Sequence, residues 1–265
     1  MPTSISTSTR LVGERMKRSP SPIQPAASGG WLAGRLVVVT GASRGIGAAT
    51  AAAVAAAGAQ VVLAARNGQA LEAVAGQIRQ AGGQATPVST DVSDEAAVDH
   101  LFAKVNETGQ VAALVCAAGL LTRAPFPETM SAVWNETIGV NLTGTFLCCR
   151  AAFAAMVPAG EGRIVTIGSL SGVYATEKFP GLAAYNVSKF GVIGLTEAIA
   201  VEGKEHGISA VCLSPGAVDT EMLRQANPGL RPGLTADDVA ELITALLESP
   251  LAAVSGANIP LFSNV

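Results

Sequence analysis

The chain has 265 residues, of which 49% are hydrophobic and only 14% charged, and its formal net charge is −3; the pI is about 5.5 and the mean hydropathy +0.41. This size suits one large α/β domain, and this apolar content excludes global disorder. The mild acidity, with no stripe of Lys and Arg, excludes nucleic acid as an expected partner.

Residues 1–30 differ from the rest: rich in Ser, Thr and Pro, they carry Arg10, Arg15, Lys17 and Arg18 against a single acid, Glu14. They read as a disordered N-terminal extension without the apolar core of a secretory signal, with organelle targeting left open. Residues 31–265 read as a single domain. Short β-branched runs at 36–40, 59–65, 84–90, 111–117, 162–168, 207–214 and 255–261 alternate with helical stretches at 46–57, 68–81, 94–107, 129–156, 184–204 and 235–248. This alternation predicts an α/β, doubly wound Rossmann fold: a parallel sheet of about seven strands, right-handed crossovers, and helices on both faces. Ligands of such folds gather at the carboxyl ends of the strands. The uncharged stretch 45–65 is long enough to raise a membrane span, but Gly58 divides it into a helix and a strand, so none is expected.

The first strand runs into Thr40-Gly41-Ala42-Ser43-Arg44-Gly45-Ile46-Gly47. Gly41 permits a tight turn, Gly45 lets backbone approach a pyrophosphate, and Gly47 lets helix and strand pack closely. The helix opening there, through Ile46, offers free N–H groups and a positive dipole end to phosphate. Dinucleotide sites for NAD usually place an acid after the second strand, to hold the ribose 2′-hydroxyl. Here no Asp or Glu occurs between Leu36 and Leu71, and the second strand ends in Arg66. Arg44 and Arg66, with Ser43, suit a 2′-phosphate, so NADP(H) is the expected cofactor. After the third strand, Asp91 can accept from an adenine amino group, cap the next helix, or do both, with Val92 beside it. After the fourth, Cys116-Ala117-Ala118-Gly119 offers small residues against which a ribose can lie.

Further on, the long helix carries Asn141, the fifth strand ends at Gly168-Ser169, and Tyr185 stands four residues before Lys189 on the next helix. Residues four apart share a helix face. Reducing a carbonyl needs a hydride and a proton, and a phenol titrates near 10, too high for ready exchange at neutrality. A cation one turn away, with an oxidised nicotinamide, is expected to lower it. Tyr185 then serves as general acid in reduction and base in oxidation. Ser169 donates to the substrate oxygen, Lys189 also reaches the nicotinamide ribose, and Asn141 is expected to hold a water linking Lys189 to solvent. The four cysteines and two histidines match no metal-ligand spacing. The cysteines, all in apolar runs, read as buried small hydrophobes in a reducing compartment, expected to be the cytoplasm.

Together the segments TGASRGIG, TDV, CAAG, VNLTGTF, IGS, YNVSK and SPGAVDT resemble the short-chain dehydrogenases/reductases, from about residue 34 to 261. The resemblance implies a catalytic tetrad of Asn141, Ser169, Tyr185 and Lys189. It places Pro215, Gly216, Val218 and Thr220 at the nicotinamide end. It implies no metal, and a homodimer or homotetramer built on the helices at 129–156 and 184–204. It points to a carbonyl reductase, with a 3-oxoacyl-carrier-protein-reductase-like enzyme the nearest flavour; an alcohol, sugar or steroid dehydrogenase running oxidatively is the alternative, and a non-catalytic dinucleotide sensor the alternative of another class. Departures from the family pattern are Cys116 where Asn is frequent, Ser214 before Pro-Gly, a long gap between Ser169 and Tyr185, and an ending without Gly-Gly. Residues 173–180 are expected to bulge over the substrate. Residues 221–234 are expected to form a small lid presenting Met222 and Leu223.

Overall fold

The first strand, β1 (Leu36–Thr40), is buried along its whole length. Successive side chains of a strand point to opposite faces. Accordingly Val37 and Val39 enter one core cluster, with Leu63, Val211 and Ile243. Leu36 and Val38 enter another, with Leu101, Leu147 and Ile164. Two apolar layers, one on each face, are what a parallel sheet covered by helices on both sides requires.

The computed structural model describes residues 29–263. The extension expected over residues 1–30 lies outside them, except for Gly29 and Gly30. After β1 come α1 (Gly45–Ala56), β2 (Gln60–Ala65), α2 (Gly68–Gln80), β3 (Gln84–Ser89), α3 (Glu95–Thr108) and β4 (Val111–Cys116). The chain continues through α4 (Ser131–Ile138), α5 (Gly144–Met156), β5 (Gly162–Ile167), α6 (Ala183–Gly203) and β6 (Ile208–Pro215). It ends with β7 (Val218–Asp219), α7 (Glu221–Ala226), β8 (Leu234–Thr235), α8 (Ala236–Glu248) and β9 (Asn258–Leu261). Seven strands form one sheet in the order β3-β2-β1-β4-β5-β6-β9, every neighbouring pair parallel. The order reverses direction between β1 and β4, which opens a crevice at their carboxyl ends.

Three local differences from the sequence reading have physical causes. The helix read at 129–156 divides: α4 and α5 are joined by a π-helical turn, Gly139–Thr143. Gly144 packs on Val92 there, and a Cβ on it would stand 2.7 Å from Val92 Cγ2. The last strand is shorter than 255–261, because Leu251–Val254 winds into a 3₁₀ turn and Gly256 takes φ 85°. The small β7–β8 pair and α7 escape a periodicity reading because two-residue strands carry no pattern. The run Ser131–Ala159 has the length and hydropathy of a membrane-crossing helix, yet half of its most apolar window is buried inside the molecule.

Candidate active site

The crevice is a cleft of about 570 Å³. Its floor is the glycine loop between β1 and α1. Gly41 adopts φ 66°, a left-handed conformation, and a Cβ on it would stand 2.6 Å from Ala118 N. Only glycine allows this approach of two strand ends. Side-chain caps open α2, α3 and α8, from Asn67, Asp94 and Thr235. By contrast α1 begins at Arg44 with no side-chain cap and no acid in its first turn. Its leading N–H groups are left for an anion in the cleft. Ser43, Gly45, Ile46, Gly47, Arg66, Asp91, Val92, Ala117, Ala118, Gly119 and Thr220 line this cleft together with Gly41 and Arg44. A glycine cradle, an uncapped helix start and two arginines fit the pyrophosphate of a dinucleotide. Asp91 accepts from Ser93 N and Ser93 Oγ, at 3.0 and 2.7 Å. These bonds hold its carboxyl below the ordinary aspartate range. The capping role open to Asp91 falls instead to Asp94, which accepts from Ala96 N.

The cleft continues into a smaller pocket of about 120 Å³ lined by Ser169, Tyr185, Lys189, Pro215, Gly216, Val218 and Thr220. Ser169 leaves β5 in extended backbone, and its Oγ accepts from Ser171 N at 3.1 Å. The turn that follows rests on α6, where a Cβ on Gly172 would stand 2.5 Å from the Lys189 carbonyl carbon. This contact fixes the spacing between Ser169 and the helix bearing Tyr185 and Lys189. Lys189 is 5% exposed. Its Nζ donates to Ile167 O at 2.7 Å and lies 5.7 Å from the Tyr185 ring centroid. Burial pulls the ammonium down from 10.5 to about 8. Burial also pushes the Tyr185 phenol up, against an opposing hydrogen bond with Ser169.

The family model for short chain dehydrogenases matches residues 35–231. The chain belongs to the short-chain dehydrogenases. It is 37% identical over 201 residues to a D-threitol dehydrogenase of Mycolicibacterium smegmatis, covering 76% of each chain. It is 36% identical over 198 residues to a 3-oxoacyl-[acyl-carrier-protein] reductase of Synechocystis, covering 74% of this chain and 79% of that one. A crystal structure of a putative NAD(P) dependent gluconate 5-dehydrogenase from Beutenbergia cavernae, with bound NADP at low occupancy, superposes with a TM-score of 0.81. The two are 33% identical, and the match covers 88% of this chain and 96% of that one.

In this short-chain dehydrogenase two expected site residues stand apart from the cleft. Cys116 turns its side chain into the core, where its Sγ lies 3.7 Å from Cys149 Sγ. At the end of a strand whose neighbours face the cleft, alternation sends it to the other side. Asn141 is fully buried, and its side chain is used up: Oδ1 accepts from Leu120 N at 2.8 Å, while Nδ2 donates to Leu120 O and Ser188 Oγ. Thr145 Oγ1 donates to its backbone carbonyl at 2.8 Å. Asn141 thus staples the segment after β4 to α6, beside Lys189. Lys189 lies near the phenol's ring rather than bonded to its oxygen, and burial is the larger influence on that phenol.

The remaining departures from the family pattern are compensated. Ser214 Oγ donates to Asn258 Oδ1 at 2.6 Å, and Ser263 Oγ accepts from Ala217 N at 2.8 Å, so the ending braces the Pro215-Gly216 turn. None of residues 173–180 lines the pocket at Tyr185. Lys178 Nζ instead ties that loop to itself through Val173 O and Thr176 Oγ1, each at 2.6 Å. Arg123, unremarked in the sequence, donates to Pro180 O and to Ala226 O, both at 3.0 Å, and so pins the loop and α7 together. Met222 and Leu223 of α7 do line the pocket, as does Leu121. Glu221, also missed, stands in the cofactor cleft. Only tertiary placement reveals it, because its sequence neighbourhood reads as an ordinary helix start.

Proposed function

We propose that this short-chain dehydrogenase uses NADP(H) to reduce a ketone or aldehyde, with 3-oxoacyl thioesters among the substrates to test. The observation that carries the reading is the meeting of Ser169, Tyr185 and Lys189 at the inner end of a cleft that has Arg44 and Arg66 at its outer end. The cofactor, when bound, supplies the hydride. Ser169 Oγ donates a hydrogen bond to the carbonyl oxygen, where negative charge builds up. Tyr185 gives its proton to the same oxygen. Lys189 supplies the cation that steadies the resulting phenolate. Asn141 acts through the segment it staples and is a positioning residue in this reading.

The same groups run in reverse as an alcohol dehydrogenase, and the relatives named for D-threitol and gluconate favour testing that direction too. A homodimer or homotetramer is proposed through α5 and α6, where Phe146, Val187 and Phe190 are 42%, 46% and 41% exposed. The test is loss of NADPH absorbance across acetoacetyl thioesters, diketones and aldehydes, comparing wild type with Tyr185→Phe. Turnover that falls by about 10²-fold or more in the variant, with NADPH binding retained, is expected for a lost general acid. Full activity in Tyr185→Phe would overturn the assignment. NADPH binding with no turnover in either direction would leave a dinucleotide sensor.

A further inference from the structure

The cofactor cleft is bridged by one ion pair. Arg44 Nη1, on the glycine loop, lies 2.6 Å from Glu221 Oε2, at the first position of α7. The two side chains come from opposite walls and both line the cleft. The other carboxylate oxygen of Glu221 accepts from Gln225 Nε2 at 2.9 Å, which aims the carboxylate. Nor is α7 free to drift. Thr220 caps it through Leu223 N at 3.3 Å, Asp219 pairs with Arg224, β7 pairs with β8, and Arg123 holds its last carbonyl. Glu221 is therefore a fixed anion presented to one of the two arginines that the reading above assigns to the 2′-phosphate.

Resting on that reading, we propose that Glu221 limits the NADP-over-NAD selectivity of this enzyme from across the cleft. A guanidinium offers several donors, but its charge is shared between its anions. While Glu221 holds Arg44, a 2′-phosphate gains less from Arg44 than from a free guanidinium, and it also meets the carboxylate's repulsion. A 2′-hydroxyl carries no charge and feels neither effect. The pyrophosphate is common to both cofactors, so Glu221 lowers affinity for the 2′-phosphorylated one more than for the other. The second arginine, Arg66, forms no ion pair among the described residues. It faces Asp91 closely enough to lower that carboxyl. Selectivity is accordingly tempered at Arg44, where Glu221 reaches in from the lid.

The experiment is calorimetric binding of NADP⁺ and of NAD⁺ to the full chain at low ionic strength, for wild type, Glu221→Gln, Arg44→Ala and the double variant. Glutamine keeps an acceptor for Gln225 and removes the charge. Glu221→Gln is expected to raise the NADP⁺/NAD⁺ affinity ratio by up to about fivefold, the upper end for an exposed ion pair. The gain should shrink at high salt and vanish in the Arg44→Ala background. An unchanged or lower ratio in Glu221→Gln, or an equal gain without Arg44, would overturn the proposal. Failure of the underlying cofactor reading looks different: wild type would bind NAD⁺ more tightly than NADP⁺, whatever the variants do to the ratio.

Discussion

The amino and carboxyl ends of the sheet carry similar charged side chains in opposite states. At the amino end Trp31 lies between Arg35 and Arg163, whose guanidinium carbons are 4.3 and 3.7 Å from its ring centroid. Arg35 pairs with Glu161, Arg163 donates to Leu247 O, and the Glu248 carboxylate accepts from the backbone N–H groups of Trp31 and Leu32. Each cation there has its partners, and the cluster closes the start of strands β1 and β5 against α8. At the carboxyl end Arg66 and Lys189 form no ion pair among the described residues, α1 starts uncapped, and Arg44 is shared across an open cleft. Charges satisfied within the chain serve stability, whereas charges left partly unsatisfied are available to a ligand.

Lys189→Met should break this contrast most sharply. Reduction is expected to fall by at least about 10²-fold, as when a catalytic proton-transfer partner is lost. The fold should become more stable at pH 7. The ammonium titrates at about 8 in the folded chain against 10.5 ordinarily. The unfolded chain therefore binds more protons between these values, and stability rises with pH through that window. The cost of burying the cation is fully present below pH 8, so the gain in thermal midpoint from Lys189→Met should be largest there and fade towards pH 10.5. A variant less stable than wild type at pH 7 would contradict this.

Gly47→Ala comes next. Its Cβ would collide with the Gly41 carbonyl oxygen, and relieving such overpacking costs roughly 1–3 kcal/mol. Both denaturation and NADP⁺ titration should register it, since the same loop forms the cleft floor. Trp31→Ala is the control at the other end. Losing the ring's contacts with two cations should cost about 1–2 kcal/mol of stability and leave the KM for NADPH unchanged; a changed KM would show that the two ends are coupled. The smallest effect is on selectivity: Arg66→Asp should move preference towards NAD(H) by about tenfold, the order of one charge-assisted hydrogen bond. An unchanged ratio would remove Arg66 from the site.

The fold was legible because its strands announce themselves. Runs such as 36–40 and 111–116 are short, uncharged, buried on both faces and punctuated by glycine. Most of the cleft was legible for the same reason, since its residues follow directly on strand ends. What stayed hidden depends on side-chain direction or on contacts distant in sequence. The tetrad pattern names Asn141, but only the fold shows its amide spent on Leu120 and Ser188. Cys116 sits in a segment that reads as a ribose platform, yet pleating turns its thiol to the core. Arg123 and Glu221 belong to loop and lid, where no periodicity marks them, and their partners lie 57 and 177 residues away. The rise in the Tyr185 pKa follows from burial, which spacing along a helix does not report.

The most direct test of the account is the pH dependence of kcat/KM for carbonyl reduction by the wild-type enzyme. A buried lysine titrating at about 8 predicts activity that is level near neutrality and falls as pH rises through that value, as Lys189 loses its charge. A profile that stays level to about pH 10, where an unperturbed lysine begins to titrate, would contradict the placement of Lys189 as the buried cation on which the chemistry turns.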